Sequence, residues 1–404
     1  MCGQLKRLFP VLNQWAERHL FALAAAVLIL STLPFLAVIN DPLQSDVYLY
    51  STVASDIRAG KLPYKDTELA YPPYSILIFL LPAVFGDENY ATCFTILAVI
   101  ADLAIKCLLL SIGLREANGM RSLLPLTFYC LALPFIRYFF LQRYDVFPAL
   151  ISLAALWFFC SQKYALSGLM ISLGVGLKLY PILFAPPLFI LACRQRHART
   201  FLLGLIGGIS PLILLSLWLP WWNFLALHGE RGLQAESLYG SVIWLAHHFG
   251  LTHAEWVGGR GCLEVHGSLA NLVLPWSRAS LILVVGSSIL IVHRFTVRSP
   301  ELRLPQLARL LLVPLLAFVA FNQVFSPQFM VWLLPLAATG SLCRKFWMTA
   351  IIPLATMLTP IFYPSPEYFY GLNFFETQVL VARNFMVIGL WIFLSIEVSQ
   401  SRNV

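Results

Sequence analysis

Residues 19–50 read HLFALAAAVLILSTLPFLAVINDPLQSDVYLY, and this stretch decides the fold class. From His19 to Ile39 the chain is apolar for about 20 residues, enough for a helix to cross a hydrocarbon core ~30 Å thick. It lacks a clear small-residue cleavage site, so it is expected to remain as a span and not to leave as a signal peptide. A polar run follows at once, with Ser45-Asp46-Val47-Tyr48-Leu49-Tyr50, and puts an acid at a membrane face. Eleven further apolar runs lie near 91–112, 122–141, 145–160, 164–178, 180–193, 201–220, 279–295, 306–323, 326–342, 345–362 and 378–398. The whole chain is 59% hydrophobic and 11% charged, against about 25% charged for soluble domains. The reading is an all-α polytopic membrane protein of about 12 transmembrane helices, one domain over 1–404.

One short segment sets the topology. Residues 74–85 are apolar but too short to span, so they are expected to form a re-entrant or surface helix. With the N-terminus inside, Arg115, Arg121, Lys163, Arg194, Arg196, Arg199, Arg344 and Lys345 then fall in inner loops. Asp46, Asp56, Asp66, Glu68, Asp87, Glu230, Glu236 and Glu264 fall outside. If 74–85 crossed, Arg115 and Arg121 would move outside, against the positive-inside rule. Both termini are therefore expected in the cytoplasm. The two large polar loops, 40–90 and 221–277, are expected on the same outer face.

Other classes fall away on composition. The net charge of +8 is spread in short clusters between spans, which encodes orientation and does not suggest nucleic acid. The eight cysteines show no CxxC or Cys/His spacing, so neither zinc nor a disulfide framework is supported. No Walker or dinucleotide fingerprint is present.

Ionisable residues at membrane depth mark candidate sites. Asp102 and Lys106 are four apart on one helix and read as an internal ion pair. Arg137, Gln142, Arg143, Tyr144 and Asp145 interrupt 122–160 at an outer turn. There Asp145 suits either the cap of the next helix or a substrate. The run 164–193 is too long for one span and breaks at Lys178-Leu179-Tyr180-Pro181. A cavity facing an anion is expected there, against the alternative that Lys178 snorkels to the headgroups. The loop His228-Gly229-Glu230-Arg231-Gly232-Leu233-Gln234-Ala235-Glu236-Ser237 reads as a recognition loop. Arg231 would suit a phosphate, and Gln234 and Glu236 sugar hydroxyls, against a solvated loop with an Arg231–Glu236 pair. Ser326-Pro327-Gln328 opens a span, as a cap or a site wall. Arg383 in the last helix points at a partner acid or a lipid phosphate, or anchors the helix at the interface.

Taken together, the acid after the first span, the Tyr71-Pro72-Pro73 loop, Gln142-Arg143-Tyr144-Asp145, Leu177-Lys178-Leu179-Tyr180-Pro181, the 228–237 loop and Ser326-Pro327-Gln328-Phe329-Met330-Val331-Trp332 form a pattern. It resembles the bacterial GT-C glycosyltransferases related to polyprenyl-phosphate-mannose-dependent α-mannosyltransferases. The resemblance implies transfer of a mannose-like hexose from a polyprenyl-phosphate carrier to a glycan or glycolipid acceptor, on the extracytoplasmic face of the cell membrane. It implies a GT-C-like bundle, no cofactor, and an acid of the first outer loop as catalytic base. Asp46 is the matching position, with Asp41 and Asp56 as alternatives. Lys178 and Arg231, with Arg383, would stabilise the departing phosphate, and Tyr64, Tyr71 and Tyr74 would stack on sugar faces. The family pattern is not met throughout: no soluble C-terminal domain is expected, and the first loop has no Asp-x-Asp, so a metal is not called for. A transporter or flippase and a non-catalytic assembly factor are the rival readings. Against a transporter stand the long first loop and the lack of an internal repeat.

Overall fold

The computed structural model describes residues 19–36, 46–259, 262–298, 302–363 and 370–400. Helix α1 (Leu20–Leu36) is the first apolar helix, and α2 (Asp46–Arg58) starts at the acid that follows it. The nine-residue α3 (Ser75–Ala83) has a length of ~13 Å, less than half a bilayer core. The short helix expected at 74–85 is thus present. Next come α4 (Tyr90–Glu116), α5 (Leu124–Ala132), α6 (Arg137–Leu141) and α7 (Val146–Cys160). The apolar run 122–141 is not one smooth helix. Pro134 removes a backbone donor, and residues Leu133–Ile136 tighten into a 3-10 turn between α5 and α6. Pro181 does the same after α8 (Tyr164–Leu177), with a 3-10 turn at Tyr180–Phe184 before α9 (Ala185–Arg194).

The second half holds α10 (Ala198–Leu215), α11 (Asn223–Gly229), α12 (Leu238–His248), α13 (Ser268–Arg298), α14 (Leu304–Phe321), α15 (Phe329–Gly340), α16 (Phe346–Met357), α17 (Thr359–Phe362) and α18 (Phe374–Gln400). Among the described residues, six stretches are long and apolar enough to cross a membrane, and the other apolar helices are shorter. All twelve expected runs carry helix. Several boundaries moved: α13 begins at Ser268, inside the expected second loop, α10 ends at Leu215, α18 begins at Phe374, and α15 begins at Phe329, after Ser326.

The second large loop carries helices α11 and α12 and a hairpin, none of which was foreseen. Strands β1 (Glu255–Gly258) and β2 (Leu263–His266) pair antiparallel in the second loop. Four-residue strands leave too little periodicity to see in a polar loop. The hairpin stitches the 228–237 loop in place: Ala235 N–H donates to Leu263 O at 2.9 Å and Val265 N–H to Leu233 O at 2.9 Å.

The core centres on α14 and α15, whose side chains are buried almost throughout. Around them α10 and α13 expose Leu203, Ile206, Ile213, Ile282, Leu283 and Leu290. So much outward apolar surface fits a lipid-facing ring and not a soluble monomer. Helices α8 and α10 pack through small residues. A Cβ on Gly204 would sit 1.9 Å from Ala165 O, so the two backbones meet only because glycine is there.

Polar side chains separate to the two ends of the bundle. At one end Arg115 donates to Cys160 O at 2.7 Å, Arg121 to Leu342 O at 3.2 Å, and Arg309 pairs with Glu397 at 2.7 Å. The acids of the first loop and the cations Arg143, Lys178 and Arg231 gather at the other. The buried pair Asp102–Lys106, at 2.6 Å, lies between. Lys106 also donates to Thr32 Oγ1 at 3.0 Å, which ties α1 to α4.

Candidate active site

Asp46 is the first residue of α2, and Arg143 in the turn between α6 and α7 pairs with its Oδ2. Tyr50, one helical turn on, and Tyr71 each offer a hydroxyl to the same oxygen at 3.4 Å. About 21% of each of the Asp46 and Arg143 side chains is exposed, so the pair borders open space. Burial pushes the Tyr71 hydroxyl up to about 12, which keeps it a neutral donor.

An aromatic wall joins this pair to a second one. The Tyr71 ring lies edge-on to Tyr144 at 5.2 Å, and Lys178 Nζ sits 4.7 Å from the centroid of that Tyr144 ring. Lys178 ends α8 in extended backbone, where Pro181 has stopped the helix. Its ammonium donates to Asp145 Oδ1 at 2.6 Å. Trp332 Nε1, on α15, donates to the same oxygen at 2.7 Å. Phe329 and Tyr180 stack on either side of Trp332, at 4.0 and 4.5 Å. Asp145 therefore does not cap α7 with its side chain, as a sequence reading allows. A lysine at hand was a stronger partner for a buried carboxylate than backbone amides. The same contact excludes the snorkelling alternative for Lys178.

The 228–237 loop supplies the third cation. Arg278 donates to the carbonyls of Gly229 at 2.7 Å and Arg231 at 3.2 Å. Gln323 donates to the carbonyls of His228 at 3.3 Å and Arg231 at 3.1 Å. Glu264 accepts from Gly232 N at 3.0 Å. The Arg231 peptide is thus held from three elements, while its guanidinium Nε is buried with no hydrogen bond. Arg231 lies within electrostatic reach of Tyr71 and Lys178. The His228 ring contacts Ala70 O at 3.0 Å, and burial, then Arg231, lower its pKa to about 4.

The structure brings together Asp46, Tyr71, Asp145, Lys178, Tyr180, His228 and Arg231. Other expected residues stand further back. Tyr64 is buried, and its hydroxyl donates to Tyr71 O at 2.7 Å, so it shapes the loop and shows no open face. Tyr74 packs on Gly176 and donates to Gly208 O at 2.6 Å. Gln234 donates to Ser326 Oγ at 3.3 Å, and Ser326 to Gln328 Oε1 at 3.2 Å. Ser326 is thus no helix cap, because Gln328 holds the N-cap position and its side chain bonds no helix amide. Glu236 is buried, and its carbonyl accepts from Arg383 at 2.8 Å and Asn384 at 3.2 Å. Arg383 is fully buried over Phe325 and Phe362, so it is no interfacial anchor. Gln142 is half-buried in the same turn as Arg143. Asp56 pairs with Lys61 at 2.8 Å, and Asp41 lies outside the described residues.

Sequence reasoning left Arg143, Tyr50, Tyr144, Trp332, Arg278 and Gln323 without roles. Arg143 stood in a quoted motif, and its pairing with the first-loop acid is the contact that no spacing reveals.

Comparison with known proteins shows this bundle, with its charged end, to be a membrane glycosyltransferase of the GT-C type. The apo structure of ArnT from Cupriavidus metallidurans has a similar fold, with TM-score 0.51 and 11% identity, over 95% of this chain and 77% of that one. The model of glycosyltransferase family 87 matches residues 69–327, and the chain belongs to that family. GPI mannosyltransferase 1 of Schizosaccharomyces pombe is 23% identical over 338 residues, 75% of this chain and 81% of the relative. GPI mannosyltransferase 1 of Saccharomyces cerevisiae is 23% identical over 293 residues, 72% and 70% of the two chains.

Proposed function

We propose that this chain transfers a hexose, mannose-like, from a polyprenyl-phosphate sugar to a glycan or glycolipid acceptor on the extracytoplasmic face. The observation that carries the reading is the meeting of one partly exposed carboxylate, Asp46, with Arg143, Lys178 and Arg231 at one end of the bundle. The mannosyltransferase relatives support the choice of sugar. Charge bias between loops supports the outer placement.

In this mechanism Asp46 takes the proton of an acceptor hydroxyl as that oxygen attacks the anomeric carbon. The bond from that carbon to the phosphate oxygen breaks, and its electron pair stays on the phosphate. Lys178 and Arg231 stabilise the charge that develops there. A single displacement inverts the anomeric centre. Tyr71 orients Asp46, and apolar helix faces hold the lipid tail.

Membranes carrying the protein, incubated with a panel of labelled polyprenyl-phosphate sugars, test this directly. Wild type is expected to consume a hexose donor, mannose first, and Asp46→Asn to lose about 10²–10⁴-fold in turnover while retaining donor binding. Full transfer by Asp46→Asn would sink the assignment of the base. Consumption of nucleotide sugars instead would sink the donor class.

A further inference from the structure

The charges of the site have a balance of their own. Asp46 is paired with Arg143, and Asp145 with Lys178. Arg231 is the third cation within reach of Lys178 and Tyr71. Arg143 and Lys178 thus already hold a carboxylate each, while Arg231 has the carboxylates of Glu236 and Glu264 in its neighbourhood. A sugar linked to a lipid through a phosphodiester carries one negative charge. After transfer the lipid phosphate is a monoester, whose charge is about −1.5 to −2 at neutral pH. The extra negative charge has to be met at the moment it forms.

Arg143 is positioned to meet it. Its partner in the described structure is the proposed base itself, and it lies in a turn two residues before Asp145, within electrostatic reach of Lys178. When Asp46 takes up the acceptor proton, the carboxylate becomes neutral and its hold on the guanidinium is gone. In the same step the phosphate gains the electron pair of the broken bond. The guanidinium fork suits a phosphate with two free oxygens.

We propose that Arg143 is the exchangeable cation of the reaction: it holds Asp46 before transfer and passes to the leaving phosphate as Asp46 is protonated. This rests on the reading of Asp46 as base and of a lipid phosphate as leaving group. It gives Arg143 two duties. It keeps Asp46 charged and oriented for the acceptor, and it joins proton uptake at one atom to charge stabilisation at another.

Asp46→Asn mimics the protonated base and releases Arg143 without removing it. The test is binding of polyprenyl phosphate, with polyprenol as control, to protein in nanodiscs at about pH 8, where the monoester is dianionic. Asp46→Asn is expected to bind polyprenyl phosphate about tenfold tighter than wild type, which corresponds to about 1.4 kcal/mol. The gain disappears in Asp46→Asn with Arg143→Gln, and Arg143→Lys in the same background keeps part of it. Polyprenol binding is the same throughout. Equal or weaker phosphate binding by Asp46→Asn overturns the proposal, as does a gain that survives Arg143→Gln. If wild type and Asp46→Asn both fail to prefer polyprenyl phosphate to polyprenol, the donor reading itself fails and takes the proposal with it.

Discussion

Asp145→Asn removes the buried carboxylate charge of a largely buried pair and little else. Asp145 Oδ1 accepts from Lys178 Nζ at 2.6 Å and from Trp332 Nε1 at 2.7 Å, while Oδ2 has no hydrogen bond. The asparagine oxygen still accepts the indole N–H. That oxygen can also still accept from Lys178, but the ammonium loses its counter-charge and, on a side chain about 16% exposed, is otherwise faced by the rings of Tyr144 at 4.7 Å, Trp332 at 5.0 Å and Phe329 at 6.0 Å. Removing one partner of a buried pair costs about 3–5 kcal/mol. Aromatic faces offset a bare cation by about 0.5–2 kcal/mol. The expected loss of stability is therefore about 2–3 kcal/mol. Lys178→Met should cost a similar amount by stranding the carboxylate. The double variant, Asp145→Asn with Lys178→Met, has no stranded charge and should fall within about 1 kcal/mol of wild type. Unfolding in nanodiscs followed by tryptophan emission reads this, because Trp332 reports on the pair. Unfolding rates should be compared, since large membrane proteins seldom refold on heating. A loss below about 0.5 kcal/mol for Asp145→Asn would place the pair among exposed ion pairs and refute the reasoning. Additive losses in the double variant would refute it equally.

Stability should also depend on pH through His228. Its folded pKa of about 4 lies below the ordinary ~6.5, so the unfolded chain binds the proton first as pH falls. The contribution is whole above pH ~6.5 and is lost as pH drops towards ~4, and His228→Gln should flatten that limb of an unfolding-rate profile. Gln323→Ala removes donors to the carbonyls of His228 and Arg231 and should cost about 1–3 kcal/mol; limited proteolysis should then cut within 228–236 sooner than in wild type. Gly176→Ala puts a methyl 2.0 Å from the Tyr74 ring and should cost about 1–3 kcal/mol, with a matching fall in transfer because the Tyr71–Tyr74 turn is pushed away. Lys106→Met strands Asp102 in the bundle and should cost about 3–5 kcal/mol, while transfer per folded molecule stays at the wild-type level.

Hydropathy made most of the fold legible. A bilayer demands about 20 apolar residues per span, a local and additive property of the chain. Each of the twelve runs accordingly carries helix, and the short 74–85 segment is a short helix. Pro181 marked where a helix would stop, whereas the tightening at Pro134, inside a run read as one helix, was not called. The hairpin at 255–266 was illegible because four residues per strand hardly establish a period of two. The moved start of α13 has a similar cause: Leu269, Leu272, Val273 and Leu274 are broken by Asn271 and Pro275, which lowers the hydropathy of a turn that is helical all the same.

By itself, then, the sequence determined a membrane bundle, two polar loops, and a short roster of acids and bases placed where a bilayer makes them costly. Asp46, Lys178 and Arg231 were visible in that roster. Only the tertiary structure decided which of them meet. Trp332 reaches Asp145 across 187 residues, Gln323 holds the loop at Arg231, and Asp46 closes on Arg143. Arg383 shows the converse, a lone arginine by sequence that is committed to the carbonyl of Glu236 and the amide of Asn384. Burial can be read residue by residue because apolar transfer energies nearly add. Partnership cannot, because an ion pair depends on where two distant helices set their side chains, to within an ångström, in a medium of low dielectric.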